Sequence, residues 1–217
     1  MVSTSAKYKR ILGKQHDTDT FLKIYGGKKT STYDKTQLKS VVTRHTAFSG
    51  TNPQAGCCIS GTIQCSIKDP DTDIPEKAKM ELSVSITDGV ETSEQIPQGT
   101  YFIDTRKKTN LYGIGWVEIT GYDAMIFAEA DLAEKLAEQG LALPLTHRAL
   151  VSAIAAAIGV NVEASTLSKL SGTKKIEALE DKYTCREVLG FIGALYGSNF
   201  VISKSNELRM ISVTGPA

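Results

Sequence analysis

Hydrophobic and polar residues alternate singly through much of the first half of the chain. Met80, Leu82, Val84 and Ile86 are separated by Glu81, Ser83, Ser85 and Thr87, and this period of two predicts a half-buried strand that stops at Asp88-Gly89. The same alternation runs through CCISGTIQCSIKD, where Cys57, Ile59, Gly61, Ile63, Cys65 and Ile67 share one face of an expected strand. GTYFIDTRKK and GWVEITGYD supply two more strands, with Val117 and Ile119 facing one way and Trp116 and Glu118 the other. In FLKIYGGKKTS, Gly26-Gly27 sits between short runs that can pair as a hairpin. LKSVVTRHTAF fits either a strand or a helix. Strands that follow one another without intervening helices point to an antiparallel sheet curled into a barrel or sandwich.

The period changes after Tyr122. In DAMIFAEADLAEKLAEQG, Met125, Ala128, Leu132 and Leu136 form one helical stripe, and Gly140 is the expected stop. A second helix is expected in THRALVSAIAAAIGV, with Thr146 as N-cap, Leu150, Ile154 and Ile158 four residues apart, and Gly159 closing it. Thr184 and Glu187 form a T-x-x-E capping box ahead of Val188, Leu189, Ile192 and Leu195; Gly197 ends that helix, and FVIS and ELRMIS form a hairpin around Ser205-Asn206. Gly190 and Gly193 each weaken a helix by about 1 kcal/mol relative to Ala, so they are expected to admit another backbone. This gives a polar N-terminal arm over 1–20, a β-barrel-like domain over 21–122 and a helical region ending in a hairpin over 123–217. The fold class is α+β.

Charge and length narrow the functional classes. The 217 residues suffice for one large domain or two small ones. Lys+Arg number 25 against 24 Asp+Glu without a dense basic block, so no electrostatic footprint for nucleic acid is expected. No 18-residue apolar run occurs and the N-terminus lacks a signal-type apolar core, which predicts a soluble chain made in the cytoplasm, without membrane insertion.

Candidate chemistry is thin. Cys57 and Cys65 on one strand face would lie roughly 26 Å apart, Cys58 faces the other way, Cys185 is remote, and no C-x-x-C occurs, so the cysteines are expected in the core rather than on a metal. Asp69, Asp71 and Asp73 imitate the opening of a calcium loop, but its sixth position is Ile74 and its twelfth Met80. Gly113 to Gly115 lack the third glycine of a dinucleotide fingerprint. His16, His45 and His147 are widely spaced, with His147 expected to be exposed in a first helical turn. With no G-x-S-x-G elbow, Walker loop or H-E-x-x-H, neither catalytic nor cofactor nor metal residues are expected.

Read in order, GTYFIDTRKK, WVEITGYDAMIFAEADL, LPLTHRALVSAIAAAIGV and YTCREVLGFIGALYGSNFVISKSNELRMI resemble the baseplate hub or tail-tip proteins of bacteriophages and prophages. The resemblance covers about residues 96 to 211. It implies a tail-tube-like β-barrel domain with a helical insertion, a structural rather than enzymatic role, and a homotrimer joining the tail tube to a spike or tip. Tube or baseplate proteins, a spike or tip protein and a tape-measure protein are the implied neighbours. The implied location is the virion tail, after assembly in the host cytoplasm. Members commonly continue into a second barrel, so a chain ending at Ala217 is expected to be a fragment or a shortened hub. A carbohydrate- or receptor-binding module at the tail tip is the alternative, against which stands an aromatic content of 7% with Trp116 as the only tryptophan. An enzyme with dispersed catalytic residues ranks last.

Overall fold

The computed structural model describes residues 4–26, 29–48, 50, 52–68, 74–111, 114–179 and 182–213, with 111 and 114 described in their backbone alone. The chain divides into two compact units, Met1–Arg44 with Thr62–Tyr122, and His45–Gly61 with Asp123–Ala217.

The first unit contains α1 (Ala6–Leu12), β1 (Asp17–Gly26), β2 (Lys29–Tyr33), β3 (Leu38–Arg44), β4 (Thr62–Lys68), β5 (Lys79–Thr87), β6 (Ile96–Leu111) and β7 (Ile114–Tyr122). Its strands form one sheet in the order β2-β1-β5-β6-β7-β4-β3. Every neighbouring pair is antiparallel. Chain connectivity shows why the sheet must curl. Laid flat, seven strands would hold β2 and β3 about 29 Å apart, at about 4.8 Å per step. The link from Tyr33 to Leu38 spans at most about 19 Å, at about 3.8 Å per residue. The result is an antiparallel half-barrel.

Its interior is filled by the alternating residues. Leu22, Ile24, Ile63, Cys65, Ile67, Met80, Leu82, Tyr101, Ile103, Val117 and Ile119 belong to one buried cluster, with Leu38 and Val41 packed against it. The ambiguous segment is resolved as β3 over Leu38–Arg44, because Val41 and Thr43 fall opposite Cys65 and Ile63 and continue the inner face. The N-terminal stretch is more than a polar arm. Ser5 caps α1, Ile11 is fully buried, and Ser5, Arg10 and Lys14 contact Glu94, Glu91 and Asp88.

The second unit begins, after the segment 45–61, with a 3-10 helix (Ala124–Glu129). It continues through α2 (Leu132–Glu138), β8 (Leu145–Thr146), α3 (His147–Ala157), β9 (Asn161–Val162), α4 (Ala164–Lys169), β10 (Lys175–Ile176), α5 (Cys185–Leu195), β11 (Ser198–Ile202) and β12 (Glu207–Ser212). The C-terminal hairpin β11–β12 carries β9 parallel to β12, and β8 pairs with β10. Thr146 caps α3, and the Thr184–Glu187 capping box closes in both directions. Gly140 and Gly159 stand in the left-handed region at φ 68° and 76°, and Asn206 makes the hairpin turn at φ 60°.

Several local expectations are corrected. The single helix expected after Tyr122 is two, because Asp123 caps the 3-10 turn through Met125 N and Asp131 caps α2 through Glu134 N. All four stripe residues, Met125, Ala128, Leu132 and Leu136, are nevertheless buried. The strand expected from Cys57 begins only at Thr62, and residues 57–61 belong to the second unit. Cys58, rather than Cys57, is therefore the buried member of the pair. Leu195, the last residue of α5, is 70% exposed. Gly27, Asp69, Asp71, Asp73 and Gly113 lie outside the described residues.

Candidate functional site

A network of polar side chains surrounds α5 and β11. Gly190 and Gly193 stand where a side chain has no room: a Cβ at Gly190 would lie 2.8 Å from Gly56 O, and one at Gly193 would lie 2.8 Å from Ser198 O. The expected backbone approach is thus made by the segment 45–61 at Gly190 and by the start of β11 at Gly193. Asn199, fully buried, fixes that segment with three bonds. Its amide nitrogen donates to Ala47 O at 2.6 Å and Gln54 O at 2.8 Å, and its oxygen accepts from Cys57 N at 2.8 Å. Arg186 adds donors to Cys58 O at 2.5 Å, Ser60 Oγ at 3.1 Å and Met125 O at 2.8 Å, with Glu129 at 2.6 Å from its Nε. Every one of these bonds holds protein to protein. The arrangement is a lock on a crossing segment.

Asp123 completes the lock from the other side. Its carboxylate accepts from Gly61 N at 2.7 Å and Met125 N at 3.0 Å, and its own N–H donates to Gly61 O at 2.9 Å. Burial pushes its pKa up to about 6, against the opposing pull of those two N–H donors and of Arg186.

Burial raises the Cys58 and Cys65 thiols to about 12 and Cys185 to about 11, which suppresses the nucleophilic thiolate. His147 is 7% exposed, not exposed as expected. Its Nδ1 meets Tyr196 Oη at 3.0 Å, and that oxygen accepts from Ser171 N at 2.9 Å. Burial, with Lys174 nearby, lowers the His147 pKa and favours the neutral imidazole. His16 places Nδ1 2.8 Å from Lys14 O. Among the described residues no group of three His, Cys, Asp or Glu is gathered for a metal ion.

The half-barrel leaves strand edges at its rims. β2 and β3 are its outermost strands. β2 covers β1 only from Leu22 to Gly26, so Asp17–Phe21 has a ladder on the β5 side alone among the described residues. β6 pairs with β5 as far as Phe102 and, beyond Ile103, with β7 alone among the described residues, extending a two-stranded arm with Arg106, Lys107 and Lys108 exposed. β3 carries Val42 at 47% exposure. Alternation in the sequence marks these strands but not their order, and the rims follow from the order. In the second unit an apolar groove of about 360 Å³ is lined by Leu132, Leu136, Leu141, Leu143, Leu179 and Tyr183.

No family model matches the sequence, and no curated protein matches it significantly. Solved structures do share its fold. The 43 kDa tail protein of prophage MuSo2 from Shewanella oneidensis superposes with a TM-score of 0.58 at 13% identity, over 89% of this chain and 52% of that one. A tail protein from Neisseria meningitidis MC58 superposes with a TM-score of 0.51 at 14% identity, over 88% of this chain and 50% of that one. The chain thus spans about half the length of each.

Proposed function

We propose that this chain is a structural component of a phage-type tail, placed at the baseplate hub or tail tip, where copies of it assemble and connect the tail tube to the spike or tip. The observation that carries this reading is the half-barrel with unsealed rims, in a fold shared with two tail proteins. Open strand edges are liabilities in a monomer and docking elements in an assembly. The polar residues of the second unit support the same reading, since Asn199 and Arg186 direct hydrogen bonds to the backbone of their own unit and hold its segments together. The proposed assembly is a homotrimer, located in the virion tail, with no catalytic activity of its own.

The test is multi-angle light scattering across a concentration series from about 1 to 500 μM, an interval that brackets weak and tight association. A mass rising to a plateau at three copies supports the reading. A constant monomer mass throughout would remove its basis.

A further inference from the structure

Resting on that self-association reading, we propose which surfaces meet: the outer side of β3 in one copy pairs antiparallel with the uncovered first half of β1, Asp17–Phe21, in the next, setting Arg44 against Asp17. Three independent requirements have to be met by such a pair, and the sheet meets each of them.

The first is charge. β3 reads LKSVVTR and holds Lys39 and Arg44 with no acid, while the uncovered part of β1 reads DTDTF and holds Asp17 and Asp19 with no base. Asp19 already receives Lys35 at 2.6 Å, which leaves Asp17 as the carboxylate for an incoming cation. Pairing β3 with a second β3 would instead bring Lys39 and Arg44 of the two copies together, and β2 presents Lys29. Like charges placed opposite each other on a ladder are destabilising.

The second is direction. Strand direction reverses at each of the five steps from β1 through β5, β6, β7 and β4 to β3, so β3 runs opposite to β1. A copy generated by rotation about an axis along the strands keeps its strand directions. Its β1 therefore meets β3 antiparallel and continues the pattern of the sheet. β2, which runs the same way as β3, would form a parallel pair.

The third is facing. In β1 the inner face holds Leu22 and Ile24, so Asp17, Asp19 and Phe21 point outward. In β3, Val41 and Thr43 lie opposite Cys65 and Ile63 on the inner face, so Val42 and Arg44 point outward. Setting Arg44 opposite Asp17 places Val42 opposite Asp19, Thr43 opposite Thr18 and Val41 opposite Thr20. Outward residues meet outward residues, whereas a slip by one would invert the relation. The contact also covers Val42, now 47% exposed in a run of three β-branched residues without a proline guard. Because it joins two different edges, the contact is heterologous and propagates around a ring.

The experiment is a charge exchange read by sedimentation velocity at low salt, with thermal melts confirming that each variant folds. Arg44→Glu and Asp17→Lys alone are each expected to weaken self-association at least tenfold, and the two together in one chain to restore it. A second measurement mixes an Asp17→Cys chain with an Arg44→Cys chain under mild oxidation. A disulfide linking the two chains is expected, and the chain carrying both substitutions should cross-link into multimers. Single variants that associate like the wild type, no rescue in the double variant, or a cross-link confined within one chain would each overturn the pairing while leaving self-association intact. A wild-type chain that never associates overturns both.

Discussion

Asn199 spends all three of its hydrogen bonds on Ala47, Gln54 and Cys57, with no exposure to water. Asn199→Ala should therefore cost about 3 kcal/mol or more, since it strands buried backbone groups as well as losing bonds. Chemical denaturation would measure this. Gly193→Leu should also destabilise, by about 2 kcal/mol or more, despite leucine's better helix propensity, because the new Cβ would lie 2.8 Å from Ser198 O. A melting temperature equal to that of the wild type would show that the start of β11 can retreat at little cost. Asp123 makes a pH-dependent statement. Its pKa is raised from the ordinary 3.8 to about 6, so the folded state holds a proton that the unfolded state has released. The sign follows from linkage: this contribution is present below pH 4 and is lost as pH rises through about 6, a change of about 3 kcal/mol. Carboxylates lowered by their partners, Glu163 beside Arg209 among them, pull the other way. The difference between wild type and Asp123→Asn isolates the effect, and unfolding free energies at pH 4 and 6.5 should show the wild type losing ground to the variant.

At the scale of elements, local signals were legible and distant ones were not. The capping box of α5 needs only Thr184 and Glu187, three residues apart, and it formed as read. Thr184→Ala should cost about 1 kcal/mol, a far smaller loss than at Asn199, because only an exposed cap is removed. The alternation in β5 is equally local, and Met80 and Leu82 are buried as their spacing requires. The burial of His147 has no local signal, because its partner Tyr196 is 49 residues away. The segment 57–61 has the alternation of β4 without being part of that strand, because the contacts that claim it, from Asn199 and Arg186, come from more than 120 residues further along. Cys65, on the part that is a strand, sits in the half-barrel interior. Cys65→Asp should destabilise by several kcal/mol, since an unpaired carboxylate would be buried there, and thermal unfolding would register it. The rims were invisible for a related reason: alternation identifies a strand, and only pairing order says which strand lacks a neighbour.

At the scale of the molecule, the candidate site is a pair of edges rather than a pocket. A half-barrel held in shape by the short link between Tyr33 and Leu38 presents β3 on one side and the uncovered half of β1 on the other. Heterologous edges close into rings when the rotation between copies divides a circle, and grow into filaments when it does not. The most direct test of assembly is therefore electron microscopy of the concentrated protein at low salt. The account predicts closed ring particles of three copies with a central opening, dispersed by Arg44→Glu. Uniform monomers at every concentration, or unbounded filaments, would contradict it.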